Sequence, residues 1–99
     1  MPMLKINFPD NTVNFVAITK ISTHTLSTHT YGDRNLVRLD YAQACRHLVC
    51  ETQADALYLA NYLATQSIVD IDFIWQYSYE DSTPYRRPEE HGYADGQIY

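Results

Sequence analysis

A β-hairpin is the first element that the hydrophobic pattern predicts. Apolar and polar residues alternate on both sides of Pro9-Asp10-Asn11, three residues that each favour a turn. Residues 3–21 therefore indicate two antiparallel strands joined at that turn. The positions that alternate with the polar residues are Leu4, Ile6 and Phe8 before the turn, and Val13, Phe15, Ala17, Thr19 and Ile21 after it.

The next stretch of the chain is less regular. Residues 22–30 contain the tetrapeptide Ser-Thr-His-Thr twice, a composition that suits either an extended arm or a loop. A turn is predicted at residues 31–34, with Gly32-Asp33 as a two-residue loop. Two further strands are predicted over residues 35–41 and 45–50, with a weak turn between them.

A helix is predicted over residues 53–66, where Ala and Leu are frequent. Thr52 is its expected N-cap, and Asp55 follows three residues later as a shortened capping box. A helical projection separates a packing side from an outward side. The packing side holds Ala56, Leu57, Ala60, Leu63 and Ala64, with Leu59 at its border; the outward side holds Asp55, Tyr58, Tyr62 and Thr65.

A long strand is predicted over residues 68–79, because the two-residue alternation continues for that whole length. Asp70 and Asp72 would then point to the same face of the sheet. Beyond Glu80 the regular pattern stops, and Pro and Gly residues prevent any long element.

Together these elements predict an α+β fold in the order β-β-β-β-α-β. A mostly antiparallel sheet of about five strands would carry one helix packed on one face, followed by an irregular C-terminal tail. Residues 1–80 would form a single domain, and residues 81–99 an acidic tail that contains Tyr residues. The expected partners of the helix are Phe15, Val37, Leu39, Ile71 and Phe73.

Charge is distributed unevenly along the chain, whose formal net charge is −5. The first fifty residues carry five bases and three acids, whereas residues 51–99 carry nine acids and two bases. An acidic chain is a poor match for a nucleic-acid backbone or an anionic membrane, so neither is an expected partner. The first residues do not resemble a signal peptide, and no apolar run is long enough to span a bilayer. We therefore expect a cytoplasmic protein with reduced thiols.

Candidate chemistry at Cys and His residues is weak. Cys45, His47 and Cys50, with His24 and His29 as remote partners, are potential zinc ligands, but four residues separate the two cysteines where compact sites use two. Cys45 and His47 would share a strand face, as a nucleophile and base must, yet nothing nearby predicts an oxyanion hole. The sequence therefore predicts no metal, no cofactor and no enzymatic activity.

The acidic later half, with its Tyr residues, predicts a non-enzymatic module that binds a protein with a basic surface. Carboxylates can occupy sites that hold phosphates, and Tyr rings can replace stacked bases. Small acidic proteins of phages and mobile elements that disarm nucleic-acid-binding defence complexes share this size, charge and Tyr content, so an inhibitor acting in an infected host cell is the specific expectation. The expected partner-binding residues are Asp55, Tyr58, Tyr62, Asp70, Asp72, Glu80, Asp81, Tyr85, Glu89 and Glu90.

Two alternatives remain open from the sequence. The first is a self-associating structural or regulatory domain that forms a homodimer through the last strand or the helix face. The second is a metal-binding protein or a small enzyme that uses Cys45 and His47.

Overall fold

The α+β fold predicted from the sequence is confirmed by a computed structural model, which describes residues 2–29, 32–78 and 83–88. Within these residues, five strands and two helices follow one another along the chain. The elements are β1 (Met3–Asn7), β2 (Val13–Thr28), β3 (Gly32–Tyr41), β4 (Ala44–Cys50), α1 (Gln53–Thr65), β5 (Ile68–Asp70) and α2 (Ile71–Gln76).

The five strands form a single sheet in the order β4-β3-β2-β1-β5. Three of the four strand pairs are antiparallel, and β1 pairs with β5 in parallel. The sheet is therefore mostly antiparallel, as expected. Its parallel pair arises because α1 crosses over the sheet between β4 and β5, so that β5 enters in the direction of β1.

The strand β2 is the longest element and is shared by two parts of the sheet. Its first part, Val13–Ala17, pairs with β1, and its second part, Ile18–Thr28, pairs with β3. The register shifts between Ile18 and Lys20, where an irregularity bends the strand. The first copy of Ser-Thr-His-Thr and the first two residues of the second lie on this strand, so the extended-arm interpretation is correct for residues 22–28.

The N-terminus of α1 has the predicted cap. The Thr52 hydroxyl accepts a hydrogen bond from the backbone N–H of Asp55, and the Asp55 carboxylate accepts one from the backbone N–H of Thr52. The predicted packing side was partly wrong. Leu59 is completely buried at the centre of that side, whereas Leu57 is 49% exposed. Because helical residues repeat every 100°, the packing side is rotated toward Asp55 relative to the prediction.

The long last strand predicted over residues 68–79 was wrong. The strand β5 ends after three residues, and α2 begins at once. The Asp70 side chain caps this helix by accepting a hydrogen bond from the backbone N–H of Asp72, at 2.9 Å. Ile71 and Ile74, three residues apart, supply its buried side. In a segment this short, the same apolar residues fit a strand and a helix almost equally well.

The hydrophobic core lies between one face of the sheet and the two helices. Leu4, Ile18, Val37 and Leu39 of the sheet are almost fully buried there, with side chains of α1 and α2. Phe15, predicted to face the helix, is instead 44% exposed. It pairs with Lys5, whereas the next pair along the strands, Leu4 and Val16, packs in the core, so Phe15 belongs to the opposite face.

Residues 83–88 return to the sheet and pair with its β4 edge. The backbone N–H of Tyr85 donates to the carbonyl of Val49 at 2.8 Å, and the N–H of Glu51 donates to the carbonyl of Tyr85 at 3.0 Å. Tyr85 is buried among core residues. This part of the C-terminal segment therefore packs against the domain, while the proposed division of the chain at residue 80 stays a prediction.

Candidate functional site

Asp55 does not face a partner, because its carboxylate is buried at the start of α1. The residue is only 6% exposed. One carboxylate oxygen accepts hydrogen bonds from the hydroxyl and backbone N–H of Thr52, at 2.7 and 3.1 Å. The other accepts from the backbone N–H of Arg87, at 3.0 Å, and lies 3.8 Å from the Arg87 guanidinium. The predicted outward position was wrong, and Asp55 is a structural link between α1 and the returning segment.

The same contacts decide the protonation of Asp55. Burial of the carboxyl raises its pKa, but hydrogen bonds from Arg87 and Thr52 favour the charged form more strongly. The net result is a pKa below the ordinary value of 3.8. Asp55 is therefore ionised at neutral pH and helps to hold the returning segment on the helix.

The predicted Tyr residues have two different positions. Tyr58 and Tyr62 lie on α1 and are 39% and 44% exposed, as expected for residues of the outward side. Tyr85 is buried instead, and its ring packs edge-on against Phe73 and Tyr77, with centroids 6.4 and 5.4 Å apart. Burial raises the pKa of Tyr85 to about 12. The structure thus leaves two of these three rings available to a partner.

The predicted carboxylates do not form a continuous surface within the described residues. Asp70 caps α2, accepts a hydrogen bond from the Asn7 amide at 2.9 Å and lies 4.0 Å from the Lys5 ammonium. Glu51 pairs with Arg86 at 2.8 Å. Asp72 is exposed in the first turn of α2. The four remaining acids, Glu80, Asp81, Glu89 and Glu90, lie outside the described residues.

Cys45 and His47 share the face of β4 opposite the core, as predicted, and Cys50 points into the core. Burial lowers the pKa of His47, with a further contribution from Arg38, so its imidazole is neutral at pH 7. No group of three or more His, Cys, Asp or Glu side chains suited to a metal occurs among residues 2–29, 32–78 and 83–88.

The two free thiols are expected to differ in reactivity. Cys45 is exposed, whereas burial raises the pKa of Cys50 to about 12, which suppresses its thiolate. Iodoacetamide at neutral pH should therefore add one group to the folded protein and two to the denatured protein, as counted by intact-mass spectrometry. A Cys45→Ser variant should gain none while folded; rapid double labelling of the folded wild type would show that Cys50 is accessible.

The sheet face opposite the core, here called the outer face, carries an exposed apolar patch. Ile68, Val13 and Phe15 are 54%, 48% and 44% exposed. Across the strands β2, β1 and β5, the register places Lys5 between Phe15 and Asp70. Two residues further along each strand on the same face, it places Met3 between Ala17 and Ile68. The outer apolar patch therefore spans β2, β1 and β5, with the Lys5–Asp70 ion pair near its centre. Its residues are Met3, Val13, Phe15, Ala17 and Ile68.

On β2 and β3 the outer face carries bases, and Arg34 and Arg38 flank Leu36, which is buried. In the strand register, Arg38 of β3 lies between Ser22 of β2 and His47 of β4. Two residues further along β3, Asp40 lies opposite Lys20 of β2. Arg34 follows on the same face of β3, opposite Leu26. Including Lys5, four bases face outward against two carboxylates, Asp40 and Asp70, which contact Arg38 and Lys5 respectively. Four of the five bases of the first fifty residues thus lie on one side of the sheet, and the fifth, Arg46, lies on the core side against Trp75.

Reasoning from the sequence missed this surface, although a signal for it exists. Lys5 follows Leu4, and Arg38 lies between Val37 and Leu39, three residues that become buried, so strand periodicity places both bases opposite the core. Phe15 obscured the pattern because an aromatic residue in a strand is normally taken as a core residue.

Comparison with protein-family models, curated proteins and solved structures finds no match for this chain. Across the part of the chain that the structure describes, none of the helices has the length and apolar character required to cross a membrane.

Proposed function

We propose that this protein is a small, non-enzymatic protein-binding module of the cytoplasm, and that it docks through the outer face of its sheet. The observation that carries the proposal is the outer apolar patch, in which three large side chains are about half exposed, two on β2 and one on β5, with Met3 of β1 between them. Large exposed apolar side chains close to polar and charged groups are typical of protein interfaces.

Charge on the same face defines the partner. Lys20 and Arg38 lie on the same face as the outer apolar patch, where Lys5, Lys20 and Arg38 outnumber the carboxylates Asp40 and Asp70. Complementary charge speeds association and fixes orientation. The partner that fits is therefore an acidic protein surface with an apolar centre that covers Phe15.

A second candidate is the inhibitor that presents carboxylates and Tyr rings to a basic groove. It is favoured by Tyr58 and Tyr62, which are exposed one turn apart on α1, and by the exposed carboxylate of Asp72. Tyr is frequent among residues that dominate binding energy. Here Asp55 and Tyr85 contribute only to the fold, and the other carboxylates of this candidate lie outside the described residues.

Matched variants separate the two candidates. Three immobilised proteins are used to capture partners from an extract of the native host. They are the wild type, an outer-face variant (Phe15→Ser with Lys20→Glu) and a helix-side variant (Tyr58→Ser with Tyr62→Ser). Every captured protein is then purified and titrated against the three chains at low and high salt. All substituted side chains are exposed, so the variants are expected to fold, which circular dichroism checks.

If the outer face is the docking surface, the outer-face variant should bind at least about tenfold more weakly, while the helix-side variant binds like wild type. The reverse pattern would support the second candidate. Equal binding by all three chains would contradict both.

A further inference from the structure

Arg46 is a partly buried base that forms no hydrogen bond or ion pair with any described residue. It lies on the core side of β4, where the strand register sets it opposite the buried Leu39. Its guanidinium lies over the ring of Trp75 on α2, 4.2 Å from the ring centroid. The Nε atom is buried and has no hydrogen-bond partner. A buried donor of this kind costs stability, so its presence requires an explanation.

Three other arginines of the described chain each lie within 3.8 Å of a carboxylate. They are Arg38 with Asp40, Arg86 with Glu51 and Arg87 with Asp55. Acids outnumber Lys and Arg by twelve to seven in this chain, so Arg46 does not lack a described carboxylate for want of acids. A partly desolvated guanidinium gains most from a charged hydrogen-bond acceptor, and at Arg46 that acceptor has to come from another molecule.

The surroundings of Arg46 define the class of ligand. Arg46 is the only Lys or Arg among residues 39–85, so β4, α1, β5 and α2 supply no second base. One guanidinium suits one carboxylate, which it binds through two parallel hydrogen bonds, whereas polyanionic backbones are held by several bases. Because Nε alone of the three nitrogens is buried without a partner, the two terminal nitrogens are the donors that a carboxylate can reach. Trp75, which is 36% exposed, adds apolar surface beside them.

We propose that Arg46 and Trp75 form a carboxylate-binding position for a partner protein. An acidic side chain of the partner pairs with the terminal nitrogens of Arg46, and an apolar side chain next to it covers the exposed part of Trp75. The ring already holds the guanidinium in place, which lowers the entropy cost of binding. Arg and Trp are also both frequent among residues that dominate binding energy. The position lies on the core side of the sheet, so the inference is independent of docking by the outer face.

Nuclear magnetic resonance of the full chain tests this position with a defined probe. The probe is the peptide acetyl-Leu-Glu-Leu-amide, and acetyl-Leu-Gln-Leu-amide is its uncharged control. Trp75 is the only Trp of the chain, so its indole N–H gives one signal at the proposed position. The Glu peptide should shift this signal to saturation, and the Gln peptide should bind at least about tenfold more weakly. An indole signal that the Glu peptide does not move, or that both peptides move equally, would overturn the proposal.

Arg46→Met removes the guanidinium, keeps an apolar stem on Trp75 and should bind the Glu peptide at least about tenfold more weakly. It is expected to fold, because the lost ring contact is offset by removal of the unpaired donor. Arg86→Met is the matched control, since it removes a base that contacts Glu51 instead; it should bind like the wild type. Arg46→Lys keeps the charge without the planar fork, should bind at least about threefold more weakly, and decides the question if Arg46→Met does not fold. Wild-type affinity in either folded Arg46 variant, or an equal loss in Arg86→Met, would refute the assignment.

Discussion

Replacement of Leu63 by Asp is expected to unfold the protein at room temperature. Leu63 is 1% exposed in the core between α1 and the sheet. The substitution removes buried apolar contacts and leaves a carboxylate without a partner in their place, which together cost at least about 4 kcal/mol. A domain of this size has a total stability of about 5–15 kcal/mol, so little or no folded population should remain. Far-ultraviolet circular dichroism and thermal melting measure the loss.

Leu57→Asp is the matched control for this substitution. Leu57 lies on the same helix and changes in the same chemical way, but its side chain is 49% exposed. Its replacement should lower the free energy of unfolding by less than about 1 kcal/mol. The pair therefore tests the rotation of α1 directly. If Leu57→Asp unfolds the protein and Leu63→Asp does not, the observed packing side of the helix is wrong.

Replacement of Asp55 by Asn is expected to lower the free energy of unfolding by about 1–3 kcal/mol at neutral pH. The carboxylate accepts hydrogen bonds from Thr52 on one oxygen and from Arg87 on the other. Asn offers only one acceptor oxygen and no charge, so it cannot serve both sets of donors. The substitution weakens the helix cap and the attachment of residues 83–88 together. Urea denaturation followed by Tyr and Trp fluorescence measures the change.

Acid should abolish the difference between the wild type and Asp55→Asn. The pKa of Asp55 in the folded protein is below its ordinary value of 3.8. The stability that it contributes is therefore fully present above that ordinary value, and it is lost as the pH falls through the lower folded pKa. The wild type should lose stability over this acidic range, while Asp55→Asn lacks the contribution at every pH.

Asp72→Asn provides the comparison for this pH profile. Asp72 is an exposed acid in the first turn of α2, and its replacement should cost only about 0.3–1 kcal/mol. If Asp55→Asn is as stable as the wild type at neutral pH, or if the difference between them persists unchanged in acid, the carboxylate is not the link that the structure shows.

Local signals in the sequence are sufficient for the first strands and for the start of α1. Alternation around Pro9-Asp10-Asn11 predicts the hairpin because turn and strand preferences agree there, and the Asp10 carboxylate accepts from the N–H of Thr12 in that turn. Thr52 and Asp55 predict the cap because the two groups that satisfy each other are only three residues apart.

The end of the fold depends on contacts that the local pattern does not contain. Residues 71–76 become helical because Asp70 caps them and because Trp75 lies against the Arg46 guanidinium on β4, 4.2 Å from the ring centroid. Tyr85 is buried because its backbone pairs with β4, far away in sequence. Both outcomes are determined by tertiary packing, which overrides the two-residue period of the side chains.

The candidate surfaces also combine features that the local sequence predicts with features that depend on contacts between distant residues. Exposure of Tyr58 and Tyr62 follows from helical spacing, and the sequence predicts it correctly. Burial of Asp55 could not be anticipated, because its second set of hydrogen bonds comes from Arg87, 32 residues later. Net charge along the chain could not reveal the outer face either, since it does not say which face of a strand a base occupies; strand periodicity and strand pairing together bring Lys5, Lys20 and Arg38 to one side.

The link between Asp55 and Arg87 has a consequence for biosynthesis. The donor on Arg87 enters the nascent chain only after the five strands and two helices of the described residues have been translated. During translation the first turn of α1 can therefore form only its contacts with Thr52, and the edge of β4 stays without Tyr85. The contacts of Asp55 with Arg87 and of β4 with Tyr85 can therefore form only once residues 85–87 have emerged from the ribosome, after the described strands and helices have emerged.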